Sequence, residues 1–262
     1  MGVAFFIQRR WDLESRKEGG DRLPTASPDR STDAAGQWAA WGVHLFTACG
    51  AVCCLWALRA AAEQQWKAMF VWLGAAVVID AVDGTLARAA KVRDRLPHFD
   101  GTLLDMIIDY ASYVLVPAFA LARSELLPDR FAWPIASAVC IASAFQFCQA
   151  DAKTEDHFFK GFPSYWNIVL FYLFLGKASP SLNAVIVLTL AGLVFVPIKY
   201  LYPSRTPQWK LLTLVLSAFW AVTIGWLLWR FPHVDLPVFY ASLTYVGYYV
   251  GTSLYFTWRT RQ

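Results

Sequence analysis

The chain has 262 residues, of which 57% are hydrophobic, 16% aromatic and only 16% charged. A soluble domain carries roughly a quarter charged residues, so this composition excludes an ordinary soluble globular protein and indicates a polytopic membrane protein. The net charge of +4 is small, though unevenly distributed, and no nucleic-acid partner is expected. Cys49, Cys53, Cys54, Cys140 and Cys148 lie within apolar runs and lack metal-ligand spacing, so buried, reduced thiols are expected rather than a disulfide framework.

Residues 1–35 are polar, with Ser15, Gly19, Gly20, Pro24, Pro28 and six Lys/Arg. The short apolar start precedes the basic run, the reverse of a secretory signal peptide. This region is expected to be a cytoplasmic tail, interfacial or disordered, leaving 36–262 as the transmembrane domain. Apolar stretches approaching the ~20 residues of a bilayer span then recur at 38–60, 66–87, 101–122, 131–149, 164–182, 183–201, 211–229 and 236–256. The fifth and sixth are divided only by Gly176, Lys177, Pro180 and Asn183. Short connections make one bundle of about eight transmembrane helices the expected all-α fold. With both termini inside, 17 Lys/Arg fall on cytoplasmic segments and 6 on outer ones, which satisfies the positive-inside bias. The cytoplasmic membrane of a bacterium is the expected location.

The second and third stretches carry the unusual residues. Asp80, Asp83, Gly84, Ala87 and Arg88 follow i, i+3, i+4, i+7 and i+8, one stripe of a helix. Gly101, Asp105 and Asp109 are spaced by four on the next. The intervening loop lets the two helices fold back antiparallel, so that all four aspartates meet at the cytoplasmic mouth. Ionisable residues inside membrane helices are rare and usually functional. Four carboxylates in one low-dielectric volume repel strongly. Arg88, Lys91, Arg93 and Arg95 can offset part of this, and a pair of hard divalent cations such as Mg²⁺, Mn²⁺ or Ca²⁺ fits better. The absence of His or Cys at ligand spacing argues against zinc, and paired hard cations suggest phosphate chemistry. Gly84, Ala87 and Gly101 leave backbone bare for a bulky ligand; the same small residues also serve close helix packing.

The run D-A-V-D-G-T-L-A-R followed by G-T-L-L-D-M-I-I-D resembles the signature of the CDP-alcohol phosphotransferases, membrane enzymes of phospholipid synthesis, at all eight signature positions. Twelve residues separate Arg88 from Gly101, more than is usual in that family. This spacer and the larger number of spans resemble the bacterial branch that transfers to choline, as do H-F-F-K-G-F-P-S-Y-W-N (157–167) and V-P-I-K-Y-L-Y-P-S-R-T (196–206). The resemblance implies that Asp80, Asp83 and Asp105 ligate metal, probed as Mn²⁺ or Mg²⁺ and expected as two ions. Asp109 would be the general base and a further metal contact. Gly84, Ala87 and Gly101 would make room for cytidine and ribose, with Asp80 and Arg88 also on the CDP-lipid side. It further implies CDP-diacylglycerol and choline as substrates, surrounding membrane lipids as partners, and a homodimer.

Choline is a quaternary ammonium, recognised by aromatic faces and nearby negative charge. Tyr110 and Tyr113, beyond the expected base, and Tyr165 and Trp166, at the start of the fifth stretch, are the candidates. Interfacial belt positions are an equal explanation for these residue types. Arg205 and Lys210 are candidate phosphate or lipid contacts, as well as ordinary positive-inside charges. Two other readings remain open: another acceptor such as serine, inositol or a glycerol phosphate, and a divalent-cation transporter.

Overall fold

The structure, a computed structural model, describes residues 30–149, 158–201 and 209–259. Its helices are α1 (Arg30–Ala62), α2 (Trp66–Ala89), α3 (Val92–Arg95), α4 (Gly101–Tyr110), α5 (Val116–Arg123), α6 (Asp129–Cys148), α7 (Trp166–Gly176), α8 (Pro180–Leu193), α9 (Lys210–Arg230) and α10 (Leu236–Arg259). A π-helical turn, Ala111–Leu115, joins α4 and α5 into one rod, Gly101–Arg123. Two short strands, β1 (Phe158–Lys160) and β2 (Lys199–Leu201), pair antiparallel with Phe159 opposite Tyr200.

Every expected apolar stretch falls on a helix, but among the described residues only five helices are long and apolar enough to cross a membrane: Ala34–Ala62, Trp66–Ala89, Gly101–Arg123, Asp129–Cys148 and Lys210–Arg230. The protein is therefore an all-α membrane protein, and the other three helices differ from the expected spans for identifiable reasons. The 11 residues of α7 and 14 of α8 rise only about 17 and 21 Å at 1.5 Å per residue, short of the ~30 Å hydrocarbon layer. Lys177 closes α7 in a left-handed conformation, Ser179 caps α8 by accepting from the Leu182 N–H, and Pro197 prevents α8 from continuing. The apolar run around 183–201 is thus spent partly on a turn and on β2. Helix α10 has the length, at 24 residues, but its many Tyr, Ser and Thr side chains dilute its apolarity.

The core lies where α1, α2, α5, α6 and α7 meet. Met69, Leu121, Leu127, Val139, Trp166 and Leu170 are among its fully enclosed side chains, interleaved with Ala57, Ala61 and Ala120. Small residues on α1 let α2 lie against it along much of its length, and this is the most extensive helix pairing. That pairing sets the register of α2, whose C-terminal end carries the acidic stripe.

Candidate active site

Two helix ends and the loop between them build the site. After α2, Lys91 turns the chain in a left-handed conformation into the single turn α3. Arg95 then donates to the carbonyls of Ala90 and, at 3.5 Å, of Gly36 on α1. Asp100 caps α4: its Oδ1 accepts from the N–H groups of Thr102 and Leu103, both at 3.1 Å, satisfying donors that a helix start leaves exposed. The cap fixes where α4 begins, and hence where Asp105 and Asp109 point.

The arrangement gathers Asp80 of α2 with Asp105 and Asp109 of α4. One carboxylate oxygen from each lies within 4.8 Å of the others, and all three residues are half-buried. Hard oxygen donors at that separation match a divalent cation of the Mg²⁺ or Mn²⁺ type. Three carboxylates so close in a membrane protein also need positive charge to remain ionised together. The residues therefore fit a metal site.

Asp83, expected beside them, faces elsewhere. It is buried, 7% exposed, and its Oδ2 accepts a 2.9 Å hydrogen bond from the Thr47 hydroxyl of α1. Three residues beyond Asp80, it is turned about 60° around α2, against α1 instead of into the three-carboxylate group. Gly84 borders open space, where an added Cβ would meet only Arg88 Nη1 at 3.5 Å. Half-buried Ala87 is on the same stripe, and exposed Arg88 donates to the Thr85 hydroxyl at 3.0 Å. Gly101 serves a contact that the sequence does not advertise: a Cβ there would collide with the His44 ring of α1.

The π turn begins directly after Asp109 and Tyr110. Pro117 has no N–H to give the carbonyl of Tyr113, and its ring crowds that carbonyl; the helix widens just before it, so that Val116 N–H reaches back to the carbonyl of Ala111. Such turns interrupt helices most often at functional positions. Here the widened turn presents Tyr113 to the carboxylates, with its hydroxyl donating to Asp80 Oδ2 at 2.9 Å. The ring of Tyr165 lies 5.9 Å from that of Tyr113, inclined at 52°, and Phe159 of β1 meets the far edge of Tyr165 at 6.3 Å.

Tyr165 owes its position to a constrained loop. Gly161 has φ +80°, a left-handed conformation, and a Cβ there would strike the carbonyl of Val194. Ser164 is also left-handed, and Trp166 anchors the next residue. Its side chain has no exposed surface, and its indole N–H donates to the Ser143 hydroxyl at 2.7 Å. The four aromatic candidates therefore separate. Tyr113 and Tyr165 come together beside the carboxylates. Trp166 is a core anchor with no face to offer a ligand. Tyr110 points to α6, where its hydroxyl donates to the carbonyl of Cys140 at 2.9 Å and its ring meets Phe147 edge-on. Lys210 is exposed at the start of α9, and Arg205 lies outside the described residues.

The chain is 42% identical to the phosphatidylcholine synthase of Legionella pneumophila over 228 residues, covering 84% of this chain and 89% of that protein. The chain belongs to the phosphatidylcholine synthase family. The Pseudomonas aeruginosa family member is 39% identical over 213 residues, 79% of this chain and 89% of its own length. That of Legionella bozemanae is 46% identical over 189 residues, 70% and 87% respectively. No family model matches the chain. In the sequence, Thr47 and Pro117 go unmarked, and His44 has no partner pattern that would make it catalytic. Thr47 and His44 carry no local signal, because their roles depend on α1 packing against α2 and α4. Pro117 did carry one, a proline at the seventeenth of the 22 positions of the expected 101–122 span.

Proposed function

We propose that the protein transfers the phosphatidyl group of CDP-diacylglycerol to choline and releases CMP, with the cytoplasmic ends of α2 and α4 as its active site. The observation that carries this reading is the three-aspartate group bordered by the Tyr113–Tyr165 aromatic pair. Negative charge beside aromatic faces suits a trimethylammonium group, which cannot donate hydrogen bonds. Family members bear the name phosphatidylcholine synthase.

Asp80, Asp105 and Asp109 would hold divalent cation, Mn²⁺ or Mg²⁺ and expected as two ions, with Asp83 as the fourth carboxylate of the set. When bound, the cations supply charge neutralisation and polarise the diphosphate. Asp109 accepts the proton of the choline hydroxyl as its oxygen forms a bond to the phosphorus bearing diacylglycerol. The bond from that phosphorus to the CMP oxygen breaks with its electron pair leaving on CMP. A carboxylate is a weak base for an alcohol, so proton transfer and attack are concerted. Tyr113, by donating to Asp80, holds that carboxylate in one orientation while its ring lines the acceptor side. Gly84 and Ala87 keep the wall beside the diphosphate low, and Arg88, free to swing from Thr85, reaches phosphate. Exposed Lys210, together with Arg205, meets lipid phosphate at the membrane surface.

The loop charges support both termini and the site facing the cytoplasm of a bacterial inner membrane, and the resemblance supports a homodimer. The deciding experiment uses the purified protein in detergent with Mn²⁺, CDP-diacylglycerol and labelled choline, following lipid product and CMP. Equimolar product and CMP are expected. Turnover with serine or inositol but none with choline would overturn the acceptor, and absence of CMP release with every alcohol would overturn the reaction.

A further inference from the structure

Helix α10 grips the β1–β2 ribbon by its edge. In an antiparallel ladder, alternate residues of a strand turn their backbone groups away from the partner strand, and when buried these groups need partners of their own. In β2 the residues so turned are Lys199 and Leu201, and α10 takes both. The Lys199 N–H donates to the Thr257 hydroxyl oxygen at 2.8 Å, and the Leu201 N–H donates to that of Ser253 at 3.2 Å. Leu201 and Ser253 are completely enclosed. The direction of these bonds is settled, because each hydroxyl hydrogen is committed within the helix: Ser253 donates to the carbonyl of Tyr249 at 2.6 Å, and Thr257 to that of Ser253 at 2.8 Å. Tyr249, on the same stripe of α10, donates its hydroxyl to the Leu201 carbonyl at 3.2 Å. The outer edge of β1 is held as well, by Gln146 of α6, whose amide donates to the Lys160 carbonyl at 3.0 Å.

The ribbon leads straight to the acceptor aromatics. β1 runs directly into the Gly161 loop, where the N–H groups of Gly161 and Phe162 donate to the carbonyls of Ile198 and Leu193. That loop delivers Tyr165, and Phe159 of β1 meets the Tyr165 ring edge-on at 85°. Across the ladder from Phe159, Tyr200 stacks on Tyr249 with centroids 6.0 Å apart. We propose that Ser253 and Thr257 are positioning residues for the acceptor: by fixing β2 at its outer edge they fix β1 and Phe159, and so hold the Tyr165 ring beside Tyr113 where a quaternary ammonium group is received. This rests on the Tyr113–Tyr165 reading of the acceptor pocket. Attraction of a cation to a ring depends on its lying over the face and close to the centroid, so a small displacement of the ribbon costs acceptor affinity. The carboxylates stand on α2 and α4, outside this chain of contacts, and keep their geometry.

The test uses the full-length protein in detergent with Mn²⁺ and CDP-diacylglycerol. Ser253→Ala/Thr257→Val removes both hydroxyl oxygens from the strand edge and should raise the choline KM roughly three- to tenfold, the range that about one net hydrogen bond carries. Its kcat, Mn²⁺ requirement and affinity for CMP should stay within about twofold of wild type. Of the two single variants at the outer position, Thr257→Val, which matches the shape, should raise the KM, and Thr257→Ser, which keeps the hydroxyl, should not. Placed in a Tyr165→Leu background, the double variant should add nothing, because the ring that it displaces is gone. A rise in KM that adds in full to that of Tyr165→Leu would overturn the proposal, as would Thr257→Val and Thr257→Ser proteins with equal KM. A fall in kcat and CMP affinity alongside the rise in KM would overturn it too, since α10 would then be general scaffold. Tyr165→Leu alone with an unchanged choline KM would instead overturn the acceptor reading, and this inference with it.

Discussion

Tyr113 contributes two separable things to the site, a hydroxyl and a ring, and two substitutions distinguish them. The hydroxyl donates to a carboxylate at 2.9 Å within a half-buried cluster. A hydrogen bond to a charged group contributes about 1.5–3 kcal/mol, which corresponds to roughly 10–150-fold in an equilibrium or rate constant. Tyr113→Phe removes that bond and retains the aromatic face, so kcat should fall and the Mn²⁺ concentration for half-maximal activity should rise, together within that range. The KM for choline should change less than about twofold, because the ring still meets Tyr165. Tyr113→Leu removes the ring as well. A cation–π contact contributes about 0.5–2 kcal/mol, so this second variant should add a roughly 2–30-fold rise in choline KM. Initial rates across a matrix of choline and Mn²⁺ concentrations resolve the two effects. If Tyr113→Phe raised choline KM while leaving the Mn²⁺ dependence untouched, the division of labour between hydroxyl and ring would be wrong.

Asp109→Asn should bring turnover close to background, with Mn²⁺-dependent CMP binding largely preserved; near-normal turnover would remove Asp109 as the base. Chelation by EDTA should abolish activity and Mn²⁺ or Mg²⁺ should restore it, whereas activity that survives exhaustive chelation would refute the metal requirement. Trp166→Ala should act on stability: truncating a fully enclosed Trp costs about 3–5 kcal/mol, and it strands the Ser143 hydroxyl that the indole N–H meets. Thermal unfolding in detergent should show a large loss for it, and an unchanged unfolding temperature with a raised choline KM would return Trp166 to the acceptor pocket. Thr47→Val, which conserves shape but removes the donor to the buried Asp83 carboxylate, should lower stability by about 1–3 kcal/mol; an unchanged unfolding temperature in detergent would refute this.

The acidic stripe was legible because helical spacing and the cost of charge in a membrane act on local sequence. Asp80, Asp105 and Asp109 come together as the spacing predicts. The position of Asp83 was not legible, since its partner Thr47 is 36 residues away on α1. The aromatic candidates show the same boundary. Residue type marks Tyr110, Tyr113, Tyr165 and Trp166 alike, but only three-dimensional placement separates the Tyr113–Tyr165 pair from a core anchor and from a tyrosine turned to α6. Helix type was legible throughout, and span length was not. Hydropathy adds the turn and β2 to the apolar run of α8, because strand residues such as Tyr200 and Leu201 are as buried and apolar as those of a helix.

The π turn at Ala111–Leu115 lets the Gly101–Arg123 rod carry one residue more than a regular α-helix would between its two halves. Its first half is registered to the carboxylate site through Asp105 and Asp109. Its second half is registered to the core through Val116, Ala118, Ala120 and Leu121, all nearly or completely enclosed. Removing one residue from the regular α-helical parts would rotate one half against the other by about 100°, so the chain could keep its acidic site or its core packing, but not both, whereas removing the extra residue of the turn restores α-helix with the halves nearly in register. Length changes on either side of the turn should therefore cost far more than a one-residue deletion within it.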